Sequence, residues 1–226
     1  MLTMTGLTKT YRTDSVETTA LDEIDLDIAD GEFVAVMGPS GCGKSTLLNV
    51  MGMLDSPSDG SYVFNSQEVA GLSEHQLADT RKRNIGFIFQ SFNLVDELTV
   101  RENVELALLY HSIPGGERKS RVDRVLDKVG IAHRAKHRPT QLSGGQQQRV
   151  AVARALVGQP NLILADEPTG NLDTAHGEEV MRMLRQLNQE GSTIVMVTHS
   201  PAHADFASRV VNMLDGRILQ ERRRAA

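Results

Sequence analysis

One glycine-rich stretch limits the fold of this chain more than any other feature. Residues 38–46 read Gly-Pro-Ser-Gly-Cys-Gly-Lys-Ser-Thr, after an apolar run at 33–37 and before a helix-like run at 47–51. Strand, glycine-rich turn and helix are the context of the pattern G-x-x-x-x-G-K-[ST], in which backbone N–H groups surround a polyphosphate. The sequence therefore predicts an α/β core that binds a nucleotide.

The loop offers both backbone and side-chain contacts to phosphate. Glycines permit backbone conformations that other residues avoid, and the helix that follows adds the positive end of its dipole. Lys44 is expected to reach the β- and γ-phosphates, and the Ser45 hydroxyl to bind Mg²⁺. We interpret Cys42 as a residue that fills space in the loop, with a reactive thiol as the minor alternative. We predict nucleotide contacts throughout the loop, at Gly38, Pro39, Ser40, Gly41, Cys42, Gly43, Lys44, Ser45 and Thr46.

Composition narrows the class of protein. The 226 residues are 40% apolar and 23% charged, which suits one α/β domain with or without a subdomain. A net charge of −5 argues against a nucleic-acid partner held by bulk positive charge. The single cysteine excludes an internal disulfide and fits a reducing compartment. Without a signal-peptide pattern or an apolar run near ~20 residues, the chain is expected to be cytoplasmic, with membrane contact peripheral or through a partner.

Periodicity predicts the order of elements. Apolar and acidic residues alternate at 24–28, so residues 2–28 are expected to form a small β region. Short apolar runs at 85–89, 161–166 and 193–198 predict buried strands, and residues 209–219 a hairpin that turns at Asp215-Gly216. Helical spacing begins at Val100 and recurs at Val122, Val125 and Val129. Alternating strands and helices imply a mainly parallel sheet with helices on both faces.

This order predicts a phosphate-loop NTPase core with an N-terminal antiparallel β region and an inserted helical subdomain. We expect one domain over 1–226. Residues 1–90 and 142–226 would form the catalytic core with its β region, and about 91–141 the helical subdomain.

Two further groups carry chemistry. Asp166 and Glu167 end a buried-type strand, and an acid at a neighbouring strand end is the partner that a phosphate loop needs for Mg²⁺. Asp166 fits that role, and Glu167 would orient or deprotonate the attacking water. Residues 143–146 precede a helix, where Ser143 can act as the N-cap and two glycines allow close backbone approach, which makes a second anion-binding helix terminus.

Together these motifs resemble the ATP-binding cassette (ABC) ATPases, in the family's order and over nearly the whole chain. The family's signature is the most specific element, and residues 142–146 match it. The other matches are the phosphate loop at 38–45, the glutamine loop at Gln90, the magnesium acid at Asp166, the catalytic base at Glu167, the bridging loop at 171–173 and the switch histidine at His199. Tyr11 suits ordinary strand packing from its residue context alone, but the resemblance places it where the family stacks adenine.

The resemblance also implies a mechanism. Such ATPases act as head-to-tail dimers around two MgATP, each held by one subunit's phosphate loop and the other's signature. Four signature residues, Ser143, Gly144, Gly145 and Gln146, would therefore contact nucleotide in trans. Asp173, in the loop that bridges the two sites, would contact nucleotide as well. His199 would contact the γ-phosphate near Glu167, and Gln90 would reach the metal and couple movement to a partner.

Within the family the chain looks most like the ATPase subunits of macrolide exporters and lipoprotein-releasing complexes. The cues are the loop at 13–19, the run at 87–94 and the run at 165–173. By resemblance, the partner is a four-helix permease subunit, which would hold the ATPase at the cytoplasmic face of the inner (cell) membrane.

Other readings stay open at this point. An ATPase that drives a non-transporting signalling or cell-wall-hydrolase-regulating complex would share every motif. Soluble ABC ATPases of DNA repair or translation carry a long coiled coil or two fused cassettes, unlike this chain. A metabolic phosphate-loop kinase would leave residues 142–146 unexplained.

Overall fold

A computed structural model describes residues 1–13 and 16–223, and within them the chain forms strands and helices in alternation. The strands are β1 (Leu2–Arg12), β2 (Glu17–Ile28), β3 (Phe33–Met37), β4 (Asp59–Phe64), β5 (Gln67–Glu68), β6 (Ile85–Ile88), β7 (Leu162–Asp166), β8 (Thr193–Val197), β9 (Arg209–Leu214) and β10 (Arg217–Arg223). The α-helices are α1 (Lys44–Met51), α2 (Glu74–Asn84), α3 (Val100–Leu109), α4 (Gly115–Lys128), α5 (Gly144–Leu156), α6 (Thr174–Gln189) and α7 (Pro201–Ala204). Short 3₁₀ turns lie at Ala132–Arg134 and Pro139–Gln141.

Two sheets organise these elements. The larger has the order β10-β9-β3-β8-β7-β6, and its neighbours are parallel except for the β9–β10 hairpin. The smaller is antiparallel, in the order β2-β1-β4-β5. The predicted mainly parallel sheet and N-terminal antiparallel region are confirmed.

The larger sheet is covered on both faces, as its two sets of buried side chains show. Phe33 and Ala35 of β3 pack in one cluster with α3, α4, α5 and α6. Val34 and Val36, one residue out of phase, pack in another with α1, α2 and the smaller sheet. Strands buried on both faces read as continuous apolar runs because successive side chains point to opposite sides.

The segment that follows β6 is helical, as its sequence predicts. Thr99 begins α3 with a capping box, accepting from the backbone N–H of Glu102. Val122, Val125 and Leu126 of α4 are buried in the same cluster as α5, and Gly130 ends the helix with a φ of 72°. The subdomain limits near 91 and 141 stay a prediction, because α3 and α4 share their core with the large sheet.

Sequence periodicity misses α2. Leu77 is its single buried residue, so the helix carries no apolar stripe to detect. A capping box stabilises its first turn, since the Gln76 side chain accepts from the backbone N–H of Ser73.

In the part of the chain that the structure describes, none of the helices has the length and apolar character needed to cross a bilayer.

The loop at 13–19, one of the sequence cues to the subfamily, includes residues 14 and 15, which lie outside the described residues.

Candidate functional site

The carboxyl ends of adjacent parallel strands bring the predicted groups together. In the order β3-β8-β7, Val36 is level with Val197 and Asp166 is level with Val197. The phosphate loop follows β3, His199 follows β8, and Glu167 follows β7. Ligands of open α/β sheets bind at this edge. A cavity of about 500 Å³ opens here, lined by Ala20, Ser40, Gly41, Gly43, Lys44, Ser45, Thr46, Glu167 and His199.

The chain's last strands brace the phosphate loop from behind. A Cβ atom on Gly38 would collide with the carbonyl oxygen of Met213 in β9, so any side chain here would displace the loop. The backbone N–H of Gly216, in the β9–β10 turn, donates to the carbonyl of Cys42 at 3.1 Å. Gly43 has a φ of 99° and also lies against a backbone carbonyl, that of Ala20. The loop's shape is therefore set by β2 and by the C-terminal hairpin.

Lys44 is nearly enclosed by its own loop. The residue is only 8% exposed, and its Nζ donates to the carbonyls of Gly38 at 2.9 Å and Pro39 at 2.7 Å. These acceptors are neutral. An anionic phosphate oxygen accepts a stronger, charge-assisted hydrogen bond. The ammonium group can therefore exchange these carbonyls for the oxygens of a bound polyphosphate.

Asp166 and Ser45 form a donor set that fits Mg²⁺. Burial raises the pKa of the Asp166 carboxyl, the charge of Glu167 raises it further, and a hydrogen bond with Ser45 partly offsets both. Among the described residues, no cluster of three or more His, Cys, Asp or Glu side chains is arranged to hold a metal alone. Mg²⁺ needs no such cluster, because it takes one or two carboxylates together with waters and substrate phosphates. A hydroxyl and one half-buried carboxyl beside a phosphate loop meet that requirement.

Glu167 lies in the cavity with a strained backbone. Its φ is 44°, a left-handed conformation unusual for a glutamate. Its N–H donates to the carbonyl of Val197 and its own carbonyl accepts from Gly170, which hold it in place. Nδ1 of His199 lies 2.9 Å from Oε2 of Glu167. Strain of this kind collects at functional sites, and here it accompanies a carboxylate that contacts His199.

The signature residues lie outside this cavity, at the start of α5. Ser143 forms the predicted N-cap, accepting from the N–H of Gln146, whose side chain accepts in turn from the Ser143 N–H. Gly145 is needed for close packing, because its Cβ would lie 2.6 Å from the His176 imidazole. None of residues 143–146 lines the phosphate-loop cavity.

Gln90 links two loops in this structure. Its Nε2 donates to Oδ1 of Asn171 at 3.3 Å, and Nδ2 of Asn171 donates to the Gln90 carbonyl at 3.1 Å. The side chain packs over Gly170, where a Cβ would lie 2.7 Å from Nε2. Gln90 is thus tied to the loop that begins with Glu167, and it does not line the cavity with Ser45.

Asp173 stabilises the first turn of α6. It begins α6 as the N-cap, accepting from the N–H of His176, and its other oxygen lies 2.8 Å from the His176 Nδ1. Its predicted contact with nucleotide stays a prediction.

Tyr11 borders the far end of the loop without lining the cavity. Its hydroxyl donates to Oδ2 of Asp55 at 2.8 Å, and the residue is 42% exposed. Burial and the neighbouring Asp55 carboxylate raise the pKa of Tyr11, while a hydrogen bond with the Thr46 side chain lowers it. Tyr11 therefore lies beside the last residue of the phosphate loop.

Sequence reasoning misses the residues that connect these motifs. Arg154, on α5, donates to the backbone carbonyls of Phe92 and Asn93, both in a left-handed conformation. His176 fills the space above Gly145. Neither residue belongs to a motif, and only the tertiary fold places each beside its partner.

Comparison with known proteins identifies the family. A family model described as ABC transporter matches residues 21–170, more than half of the 226-residue chain. The chain belongs to the ABC transporter family. It is an ATP-binding cassette, an ATPase that uses ATP with Mg²⁺, in a family whose ATP hydrolysis is coupled to transport.

Relatives and solved structures agree with this assignment. The cassette is 48% identical over 221 residues to the macrolide export ATP-binding/permease protein MacB of Azoarcus sp. (strain BH72), covering 98% of this chain but 34% of that protein. It is 48% identical over 219 residues to YknY of Bacillus subtilis (strain 168), an uncharacterized ABC transporter ATP-binding protein, covering 97% and 95% of the two chains. The ATP-binding cassette MJ0796, solved as a dimer in a post-hydrolysis state with ADP and Pi, has a TM-score of 0.90 and 43% identity, covering 99% and 98%.

Proposed function

We propose that this cassette powers a membrane permease for export, lipoprotein release or mechanotransmission. The observation that carries the proposal is the similarity, over 98% of this chain, to a relative named as an ATP-binding/permease protein. This chain spans about a third of that relative, whose name includes a permease, and a permease partner is part of the proposal. The cassette would then lie at the cytoplasmic face of the inner membrane, held there by that partner.

The cassette forms half of a nucleotide site, and a second copy completes it. The cavity holds the phosphate loop, Glu167 and His199, but no residue of 143–146. Ser143 is exposed, so the amino end of α5 is open to a partner. This end carries the positive end of the helix dipole and the N–H groups of the first turn, which attract the terminal phosphate of ATP bound to the other copy. MJ0796, a cassette solved as a dimer, supports the pairing of two copies.

The chemistry falls to residues of the cavity. Ser45 and Asp166 would hold Mg²⁺, which would supply positive charge to neutralise the phosphates. Lys44 leaves the loop carbonyls and binds phosphate oxygens. Glu167 accepts a proton from the attacking water, and His199 holds that carboxylate and contacts the terminal phosphate. Loss of that phosphate removes a bridge between the copies, so the dimer opens.

A groove lined by Phe87 and Phe89, which precede Gln90 in the chain, is proposed to bind a segment of the permease. It has a volume of about 680 Å³ and runs between α2, β6 and α3. Phe87 and Phe89 stack there, with ring centroids 5.5 Å apart, and Tyr110 at its edge is 80% exposed. Arg154 and Asn93 also line it. Since Arg154 belongs to the signature helix α5, a segment seated in the groove would move with the residues that contact the partner copy's ATP.

Membrane purification with a trapped variant tests the proposal. Glu167→Gln removes the base but keeps the size of the side chain, so turnover should fall at least about 100-fold while MgATP holds a dimer in size-exclusion chromatography. Glu178→Gln, at an exposed acid on α6, is the matched control and should leave both unchanged. Tagged Glu167→Gln cassette should co-purify with a permease from membranes in MgATP.

Two outcomes would contradict this. Normal hydrolysis by Glu167→Gln would remove Glu167 from the base role. Recovery of the trapped dimer without any integral membrane protein would refute the permease partnership, and a recovered permease without transport activity would favour a signalling complex.

A further inference from the structure

Lys9 covers one face of the Tyr11 ring. The two residues are two positions apart on β1, so their side chains project from the same side of the strand. Nζ of Lys9 lies 4.9 Å from the ring centroid, within the range of a cation–π interaction. The Lys9 side chain is only 12% exposed, so the ammonium is held at this place.

Asp55 binds both residues at once. One carboxylate oxygen lies 2.5 Å from Nζ of Lys9, and the other accepts from the Tyr11 hydroxyl at 2.8 Å. Lys9 also donates to the carbonyl of Ser56 at 2.8 Å, and the Ser56 N–H donates back to Asp55. Burial alone would raise the pKa of Asp55, but the bonds from Lys9 and Tyr11 outweigh it and hold the pKa below its usual range. The carboxylate therefore stays ionised and keeps both contacts at neutral pH.

The ring borders the nucleotide cavity. Tyr11 lies beside Thr46, which is a lining residue of the cavity. Ala20, on the neighbouring strand β2, lines it too. With Lys9 over one face and 42% of Tyr11 exposed, a planar ligand can stack only on the face away from Lys9.

We propose that Lys9 and Asp55 are positioning residues that hold Tyr11 as a one-sided platform for the nucleobase. This inference rests on the stacking of adenine on Tyr11 that the resemblance to the family implies. The ammonium draws electron density from the ring, which lowers the repulsion between stacked π faces. The two bonds to Asp55 fix the ring before ATP arrives, so less side-chain freedom is lost on binding. Both effects act on the base and leave the phosphates untouched.

The test compares a ligand that has a base with one that has none. Lys9→Met removes the charge but keeps the length of the side chain, and Lys9→Arg keeps a cation that stacks on aromatic rings. Lys119→Met, at an exposed lysine on α4, is the matched control. Tyr11→Ala measures the whole contribution of the ring. For each full-length variant, calorimetry gives the Kd for MgATP and for magnesium tripolyphosphate, and a steady-state assay separates KM from kcat.

Lys9→Met should weaken MgATP binding about threefold to tenfold, in KM more than in kcat, with tripolyphosphate unchanged. Lys9→Arg should restore most of that loss, and Lys119→Met should show none. Unchanged tripolyphosphate binding shows that the phosphate loop is folded in the variant.

Three results would overturn the inference. If Tyr11→Ala weakens MgATP binding and Lys9→Met does not, the ring stacks without help from Lys9. If Tyr11→Ala has no effect, the proposed stacking on Tyr11 is itself wrong. If Lys9→Met weakens both ligands equally, Lys9 supports the loop and plays no part in orienting the base.

Discussion

Gly145 offers a sharp test of the packing beneath the signature. A Cβ atom there would lie 2.6, 3.0 and 3.2 Å from three atoms of the His176 side chain, whereas ordinary contacts begin near 3.4 Å. Gly145→Ala therefore forces the imidazole to move, which also breaks its contact with Asp173. Overpacking of this kind costs about 1–3 kcal/mol. Gly144 and Gly145 are the first two residues of α5, where the difference in helix propensity between glycine and alanine counts for less than in a helix interior. We expect a net loss of about 1–3 kcal/mol in the free energy of unfolding.

The adjacent glycine is a matched control. A Cβ on Gly144 would lie 3.3 Å from the end of the flexible Leu172 side chain, which can yield. Gly144→Ala should change the free energy of unfolding by less than about 0.5 kcal/mol. Urea unfolding of nucleotide-free protein, followed by circular dichroism at one temperature, measures both variants without involving ATP.

A double-mutant cycle decides whether His176 is the cause. In Gly145→Ala/His176→Ala the obstructing ring is gone, so the double variant should be more stable than the sum of the single changes predicts, by about 1 kcal/mol or more. Additive effects, within about 0.3–0.5 kcal/mol, would refute the reasoning.

Three other substitutions test the nucleotide site. Lys44→Ala should weaken MgATP binding at least about tenfold, because it removes the only lysine or arginine among the lining residues that the structure describes; unaltered affinity in calorimetry would count against the phosphate-loop assignment. Asp166 has a raised pKa, so the folded state binds its proton more tightly than the unfolded state, and its ionisation lowers stability as pH rises above the unfolded pKa. Asp166→Asn should therefore unfold at higher urea than wild type at pH 7, flatten that pH dependence, and lose Mg²⁺-dependent turnover; a less stable variant would contradict this. Gln90→Ala should reduce permease-stimulated ATPase several-fold with little effect on MgATP affinity, and equal stimulation of variant and wild type would exclude a coupling role.

The sequence predicts much of this fold because its strongest patterns are local. The phosphate loop, the alternation in β2 and the apolar runs of β7 and β8 each lie within a short window, and each forms as predicted. The N-cap at Ser143 is likewise confirmed, since a cap and its partner Gln146 are three residues apart.

The partners that complete the site cannot be read in the same way. Tyr11 and Asp55 are 44 residues apart, and Arg154 contacts the carbonyl of Phe92 across 62 residues. Backbone carbonyls have no residue type, so a pattern search cannot find them. The left-handed conformation of Glu167 is also invisible in sequence, because glutamate gives no local cue for it.

The bracing of the phosphate loop by β9 and the β9–β10 turn has a consequence for synthesis. The loop emerges from the ribosome more than 160 residues before Met213 and Gly216, the two residues that lie behind Gly38 and Cys42. A nascent chain that ends before β9 lacks this support, and its loop has no fixed shape to grip phosphate. Nucleotide binding by ribosome-stalled chains of increasing length should therefore begin abruptly once the β9–β10 hairpin has left the exit tunnel. The phosphate loop, which is synthesised early, would then become able to bind nucleotide only near the end of synthesis.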